Sequence, residues 1–216
     1  MPARRRPVQR GAAGSARTSA RSLAALYRLS TLRQADEAEL TANDWLLEGT
    51  LCVLDAQLIE LANAVRALLE LLEAPSVVKT SGQKGLHVLV PIGPGHSAAQ
   101  CHEFAKRVCK VVARLKPELV SLVAETAPRR GRLYLDCVQN YAGKSLVLPY
   151  SVRAVDGAPV SAPISWAEVT VGLNPKAFSL RTMLGRLGAT GDIFMPALHG
   201  TFLLAPVLLR LEQEGL

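Results

Sequence analysis

The sequence lacks any run of 18 uninterrupted apolar residues, and no apolar secretory segment follows its N-terminal arginines. We therefore expect no membrane span and no membrane partner. No internal repeat is visible. With 216 residues, of which 49% are hydrophobic and 20% charged, the chain is long enough and apolar enough for one domain with a hydrophobic core.

The four cysteines form no Cys-x-x-Cys pair. A cluster of cysteines and histidines occurs at His96, Cys101, His102 and Cys109, but its spacing fits no common zinc-binding pattern. Cys101 shares a helical stripe with Phe104 and Val108, which is typical of buried structural cysteines. We therefore predict reduced cysteines and a cytoplasmic protein.

Acidic residues are absent before Asp36, whereas eight arginines occur there. These arginines account for more than the whole net charge of +7, so the rest of the chain is close to neutral. Residues 1–35 are thus predicted to be a basic, disordered arm, and residues 36–216 the domain. Three interpretations of the arm stay open: a nucleic-acid-binding segment, a solvated tail, and a transit peptide.

Hydrophobic periodicity predicts both helices and strands, and hence a mixed α and β class. A helix is predicted from Gln57 until Pro75 ends it, and a second from the capping box of Ser97 and Gln100 to about Leu115. Further helices are predicted over residues 23–32, 117–125 and 201–214, and from Ser165. Strands are predicted on both sides of a glycine turn near residue 82 and over residues 132–138 and 145–152.

The segment Lys79-Thr-Ser-Gly-Gln-Lys-Gly-Leu-His-Val88 joins two apolar runs and is the most informative part of the sequence. Gly82 and Gly85 permit a positive φ and a close approach of backbone to a ligand. Ser81, Lys84 and His87 supply donors that suit phosphate oxygens. We predict that the polar groups gather at the bend and bind a phosphate, although a lone lysine or histidine would more often be structural.

A carboxylate and a guanidinium could complete such a site. Asp136 lies within the predicted strand Leu-Tyr-Leu-Asp-Cys-Val, where an unpaired aspartate is disfavoured, so it needs a partner. The partner is either an ion pair with Arg132 or Arg153, a hydrogen-bond network, or a divalent metal such as Mg²⁺ or Mn²⁺. Arg153 could hold a triphosphate through bidentate hydrogen bonds, or it is a surface charge.

Four ordered segments resemble one known family. They are the turn at 79–87, Arg-Gly-Arg-Leu-Tyr-Leu-Asp-Cys-Val-Gln-Asn at 130–140, Pro-Tyr-Ser-Val-Arg-Ala from 149, and Pro-Ile-Ser-Trp-Ala-Glu from 163. Together they resemble the polymerase domain of bacterial ATP-dependent DNA ligase D, a member of the archaeo-eukaryotic primase superfamily. The similarity extends from about residue 61 to residue 216.

The resemblance implies an α+β fold with an RRM-like catalytic core, in which a mixed or antiparallel sheet is flanked by helices. It implies template-directed addition of NTP or dNTP to DNA ends in non-homologous end joining, with Mn²⁺ or Mg²⁺ as cofactor. One ion would activate the primer 3′-hydroxyl and the other would neutralise the leaving pyrophosphate. It further implies that Ser81, Lys84, His87 and Arg153 contact the triphosphate and that Asp136 binds metal.

The sequence departs from this family in two places. The family carries an Asp-x-Asp metal motif before its first long helix, and this chain has none there. Glu48 or Asp55 would stand in for the missing catalytic carboxylates, or Asp55 is only a helix cap. The family's further N-terminal portion is also replaced by the basic arm, so a fragment, a remnant and a divergent protein are all open. Any joining would require a separate ligase and end-binding protein.

Overall fold

Six β-strands form one sheet in the order β4-β5-β1-β3-β2-β6 in the computed structural model, which describes residues 42–48, 56–124, 130–140 and 144–215. The strands span Ala42–Glu48 (β1), Val77–Thr80 (β2), Gly85–Pro91 (β3), Val120–Ser121 (β4), Leu133–Asp136 (β5) and Pro163–Ile164 (β6). β4 and β5 are parallel, and all the other pairs are antiparallel. The α+β class is therefore confirmed.

Within the described part of the chain, four α-helices accompany the sheet: Ala56–Leu71 (α1), Ala98–Leu115 (α2), Leu180–Thr190 (α3) and Leu204–Gln213 (α4). The predicted capping box opens α2, because the Ser97 hydroxyl accepts a hydrogen bond from Gln100 N and the Gln100 side chain accepts one from Ser97 N. Short 3-10 helices span Val138–Asn140, Trp166–Glu168, Pro175–Ala177 and Met195–His199.

The two faces of the sheet differ in chemistry. Val78, Val88 and Leu135 lie on the face that packs, within one hydrophobic core, with buried side chains of α1 and α2. Because successive strand residues point to opposite faces, Lys79, His87 and Asp136 lie on the other face. The helices thus cover the apolar face and leave a row of polar residues on the opposite one.

Two predicted elements are wrong. Residues 117–125 contain the short strand β4 where a helix was expected, because Val120 and Ser121 are buried beside β5 and add a parallel edge to the sheet. Residues 145–152 form no strand beyond the isolated bridge from Val152 to Val160. A turn at 149–150 interrupts the extended pattern, and Tyr150 there adopts a left-handed φ of 65°.

The remaining long elements agree with the prediction to within a few residues. The arm and the helix predicted over residues 23–32 lie outside the described residues, so those predictions stand as made. Within the described residues, no helix has both the length and the apolar character needed to cross a membrane.

Candidate functional site

The turn between β2 and β3 is organised by the hydroxyl of Ser81. Its Oγ accepts hydrogen bonds from Gln83 N at 3.1 Å and Gly85 N at 3.0 Å, while Ser81 N donates to Gly85 O at 2.8 Å. Gly82 has a φ of 72°, in the region that favours glycine. Both acceptor lone pairs of the hydroxyl are thus engaged, and its hydrogen remains the group that can be donated to a ligand.

Arg153 lies directly against this turn. A Cβ placed on Gly82 would be 2.5 Å from Arg153 Cγ and 3.0 Å from Ser161 N. A hairpin holds the arginine there, since Arg153 N donates to Pro159 O at 2.8 Å and Ser161 N donates to Ser151 O at 2.9 Å. The absence of a side chain at residue 82 is therefore what allows the stem of Arg153 to approach the turn.

Lys79 and His87 form a buried polar pair behind the turn. They are direct partners in the ladder between β2 and β3, and Lys79 Nζ lies 2.6 Å from His87 Nδ1. Lys79 is fully buried and His87 is only 2% exposed. Lys79 Nζ also donates to Val147 O at 2.9 Å and to Ser161 Oγ at 3.0 Å.

Asp136, at the end of β5, is 4% exposed and accepts three hydrogen bonds. Oδ1 accepts from Tyr134 Oη at 3.1 Å and from Val138 N at 2.7 Å, and Oδ2 accepts from Gln139 Nε2 at 3.2 Å. A hydrogen-bond network is therefore one of the partners that the sequence predicted for this carboxylate. A carboxylate has about four lone-pair sites, so three donors leave one acceptor position on Oδ2.

The strand register places these groups in one row. Lys79 pairs with His87, His87 pairs with Leu46 of β1, and Leu46 pairs with Asp136. Directly paired residues share a face, so His87 and Asp136 lie on the same side of the sheet, two strand spacings or about 10 Å apart. Both side chains are nearly inaccessible to solvent.

The structure thus brings several predicted residues together. His87 and Asp136 share the row, Arg153 contacts Gly82, and Lys84 is exposed on the turn. One detail of the prediction is wrong: Lys79 and His87 lie inside strands, and only residues 81–84 form the bend. Glu48 pairs with Tyr134 in the ladder, two residues from the position of Asp136, and Asp55 lies outside the described residues.

Sequence reasoning missed Lys79 as a member of the site. The available signal was a lysine that follows two valines inside a strand, where an unpaired charge is disfavoured. The same argument that identified Asp136 therefore applies to Lys79. It was overlooked because we assigned the residue to the bend.

No group of three or more possible metal-binding side chains exists among the described residues. In the cysteine and histidine cluster, Cys101 and Cys109 are buried, His96 Nε2 accepts a hydrogen bond from Leu204 N at 3.4 Å, and His102 Nδ1 lies 3.0 Å from Cys137 O. A hydrogen bond with Cys137, together with burial, raises the pKa of the Cys109 thiol well above its usual range. These contacts agree with a structural role for the cluster.

With this geometry established, comparison with known proteins defines the class. The family model described as the primase-polymerase domain of LigD matches residues 54–194. The chain therefore belongs to the LigD primase-polymerase domain family, which is a family of DNA-repair polymerases, and the predicted resemblance is confirmed.

Individual relatives give the same result. The multifunctional non-homologous end joining protein LigD of Mycolicibacterium smegmatis is 37% identical over 142 residues, which cover 65% of this chain and 18% of that protein. The bifunctional LigD of Bacillus subtilis is 30% identical over 137 residues, 63% of this chain and 22% of that protein. The polymerase domain from Mycobacterium tuberculosis ligase D, solved in complex with DNA, superposes with a TM-score of 0.66 at 32% identity, covering 74% of this chain and 55% of that one.

The aligned region thus spans only about a fifth of the curated relatives that the chain matches. The residues that the family model matches, 54–194, include the turn at 81–84, β5 and the Arg153 hairpin.

Proposed function

We propose that this protein is a nucleotidyltransferase of DNA repair, which adds nucleotides from NTP or dNTP to the primer end of a DNA break during non-homologous end joining. The observation that carries the proposal is the polar row on one face of the sheet. In that row a phosphate-suited histidine and a buried carboxylate lie about 10 Å apart, a separation set by two strand spacings. A polyphosphate with a divalent ion is a ligand of matching length and charge.

The phosphate end of the row consists of groups that donate hydrogen bonds. Ser81 and the exposed Lys84 lie on the turn, Cγ of Arg153 lies against Gly82, and His87 lies on β3 three residues beyond the bend. Charge-assisted hydrogen bonds to phosphate oxygens are among the stronger polar contacts in proteins. These residues would therefore bind and orient the triphosphate, and orientation is the main protein contribution to phosphoryl transfer.

The metal end of the row depends on Asp136. Its remaining acceptor position on Oδ2 suits Mg²⁺ or Mn²⁺, both of which prefer carboxylate oxygen. Glu48 pairs with Tyr134, which places its Cα about 7–8 Å from that of Asp136 by the diagonal spacing of strands. Asp136, with Glu48 or Asp55, would hold the metal, and bound metal would neutralise phosphate charge and favour ionisation of the primer 3′-hydroxyl.

A second candidate function is a module that binds nucleotide or DNA ends without catalysis. It is favoured by the missing Asp-x-Asp motif, because the resemblance assigns metal-binding carboxylates to that motif and the sequence offers only Glu48 or Asp55 in their place. Loss of one bridging carboxylate weakens the binding of two adjacent cations much more than the binding of phosphate. The two candidates therefore share their phosphate site and differ at the metal end.

Primer extension separates these candidates. The full chain is incubated with Mn²⁺, a labelled nucleotide and a DNA with a recessed 3′ end, and ATP affinity is measured in parallel. Asp136→Asn is compared with Asp156→Asn, because Asp156 is an exposed aspartate of the 152–160 hairpin. Arg153→Met is compared with Arg114→Met, which lies on α2 at the opposite face of the sheet.

We expect incorporation by the wild type and by Asp156→Asn, and none by Asp136→Asn. We also expect ATP affinity to fall in Arg153→Met but not in Arg114→Met. Binding of ATP or DNA ends without incorporation would establish the second candidate in place of the first. If the folded wild type neither binds nor incorporates nucleotide, both candidates are wrong.

A further inference from the structure

Helix α2 carries an excess of positive charge on its solvent side. It contains four basic residues and one acidic residue, although the chain after the arm is close to neutral. The buried residues of α2 are apolar and belong to the hydrophobic core, so the charged residues lie on the side that faces away from the sheet. The basic residues are Lys106, Arg107, Lys110 and Arg114.

Three of these residues form a continuous line, which we call the α2 stripe. Arg107, Lys110 and Arg114 follow one another at intervals of three and four residues, so they lie on the same side of successive turns. At a rise of 1.5 Å per residue, the α2 stripe is about 10 Å long. Lys110 and Arg114 are exposed, whereas Arg107 is partly buried and donates a hydrogen bond of 2.9 Å to Glu103 Oε1.

The α2 stripe lines a surface cleft of about 230 Å³. The other described residues that line this cleft are Glu103, Val111 and Gly215. Val111 is the one large apolar side chain among them, and it is only 9% exposed. The described lining of the cleft therefore presents charge to solvent and very little apolar surface.

Glu103 neutralises only part of this charge. It accepts the hydrogen bond from Arg107, and Lys106 Nζ lies 3.8 Å from its Oε2. The hydrogen bond from Arg107, and further the positive charges of Lys106 and Lys110, lower the pKa of Glu103. One carboxylate thus faces several cations, and the face keeps an excess of positive charge.

We propose that the α2 stripe is a second nucleic-acid-binding surface, which holds the phosphate backbone of duplex DNA without reading its sequence. It lies on the helix-covered side of the sheet, whereas the polar row lies on the other side, so it is separate from the proposed nucleotide site. The choice of DNA as the polyanion rests on the proposed function. Contacts to phosphate position a protein on DNA but carry no sequence information.

The chemistry of the cleft favours DNA over an acidic protein. The buried centre of a protein–protein interface is apolar and depleted of charge, and the cleft offers no such centre. Protein–DNA interfaces are more polar and much more positively charged. B-DNA carries about one negative charge per 1.7 Å of its axis, so a stripe of about 10 Å has a phosphate within reach of each of its cations.

Binding is measured with the full chain and a covalently closed duplex DNA circle, which has no end for the proposed nucleotide site. Filter binding at several salt concentrations gives the affinity and its salt dependence. The test variant combines Lys110→Gln with Arg114→Gln, and Glu103→Gln removes the negative charge of the cleft. The control is Lys176→Gln, an exposed lysine outside the cleft. The arginines of the arm are present in every variant, so differences between variants report on the α2 stripe.

We expect the double variant to bind the circle about tenfold or more weakly at 0.1 M salt. We also expect the slope of log affinity against log salt to become shallower by about two, because each lost phosphate contact removes about 0.9. Glu103→Gln should bind more tightly than the wild type, and Lys176→Gln should bind equally well. An unchanged slope in the double variant, or an equal loss in Lys176→Gln, overturns the inference.

A second measurement uses the wild type alone. Its lysines are acetylated with and without the DNA circle, and the modified positions are located by mass spectrometry. We expect DNA to protect Lys110 and Lys106 but not Lys176. A Lys110 that stays equally reactive in the complex overturns the inference, and so does protection of Lys110 by polyglutamate but not by DNA, which would indicate an acidic protein as the partner.

The two proposals fail separately. If the DNA circle binds through the α2 stripe but the wild type incorporates no nucleotide at a recessed 3′ end, the proposed function is wrong and the α2 stripe stands. If nucleotide is incorporated but the double variant binds the circle as well as the wild type does, the proposed function stands and the role of the α2 stripe is refuted.

Discussion

Gly82→Ala is the substitution for which the structure gives the sharpest expectation. Residue 82 has a φ of 72°, and an added Cβ would be 2.5 Å from Arg153 Cγ and 3.0 Å from Ser161 N. The flexible stem of Arg153 can move aside, but the backbone nitrogen of Ser161 belongs to a hydrogen-bonded hairpin and cannot. The substitution therefore strains the local backbone and also displaces the arginine from the turn.

The magnitude follows from two separate costs. A left-handed conformation costs an alanine about 1–2 kcal/mol, and forcing a methyl group into a packed contact costs about 1–3 kcal/mol more. The matched control is Gly95→Ala, because Gly95 has a φ of 91° but nothing within 4 Å of an added Cβ. Gly95→Ala should therefore show only the first cost, about 1–2 kcal/mol.

Urea unfolding followed by circular dichroism gives the free energy of unfolding of both variants, and ATP titration gives their affinities. We expect Gly82→Ala to lose about 1–3 kcal/mol more stability than Gly95→Ala, with an unchanged dependence on urea concentration. We also expect weaker ATP binding only in Gly82→Ala. Equal losses in the two variants would refute the argument that residue 82 is a glycine because Arg153 and Ser161 approach it.

Two further substitutions test other parts of the structure. Arg186 donates two hydrogen bonds of 2.7 Å to Glu168, so Arg186→Met should lower the free energy of unfolding by about 2 kcal/mol at neutral pH. Lys116→Met, at an exposed pair with Glu60, should have a much smaller effect. The hydrogen bond from Arg186 holds the pKa of Glu168 below its ordinary value. The stabilisation is therefore fully present above the ordinary pKa and is lost as the pH falls through the lowered pKa of the folded protein. A difference in unfolding free energy between wild type and Arg186→Met that persists in acid would contradict this prediction. Tyr134→Phe removes the hydrogen bond to Asp136 Oδ1 and should weaken Mn²⁺ binding about tenfold in a titration. The control Tyr150→Phe should leave Mn²⁺ affinity unchanged. Equal Mn²⁺ affinities in the two variants would exclude a role for Tyr134 in orienting the carboxylate.

Elements with a strong local signal could be predicted from the sequence. The hydrophobic period of α1 and the capping box of α2 each depend on residues within one or two helical turns of each other. A short stretch of sequence is therefore enough to predict both features. The carboxylate of Asp136 could be predicted as part of a polar network for a similar reason, since a buried aspartate in an apolar strand needs partners. Tyr134, Val138 and Gln139 supply those partners from within three residues.

The errors arose where distant chain segments decide the conformation. Residues 145–152 alternate like a strand, but their polar groups are used elsewhere: Val147 O accepts from Lys79, and Tyr150 N donates to Ser161 O. Lys79 was wrongly assigned to the bend because its contacts also come from distant segments of the chain. Its burial depends on Ser161, which is 82 residues away, and no local pattern contains that contact.

The arrangement of the site has a consequence for how it could lose activity. In the proposed site, the phosphate end would be formed by β2, β3 and the Arg153 hairpin, whereas the metal end would be formed by Asp136 of β5 with Glu48 of β1 or Asp55. Lys79, Ser161 and Gly82 also contribute to packing, since each contacts a buried neighbour, so the proposed phosphate end would be protected by its role in stability. A carboxylate beside Asp136 has no comparable structural role, because a buried cluster of like charges opposes folding. Substitution of the proposed metal ligands would therefore abolish nucleotide transfer and leave nucleotide binding intact, so nucleotide transfer and nucleotide binding by this chain should be measured separately.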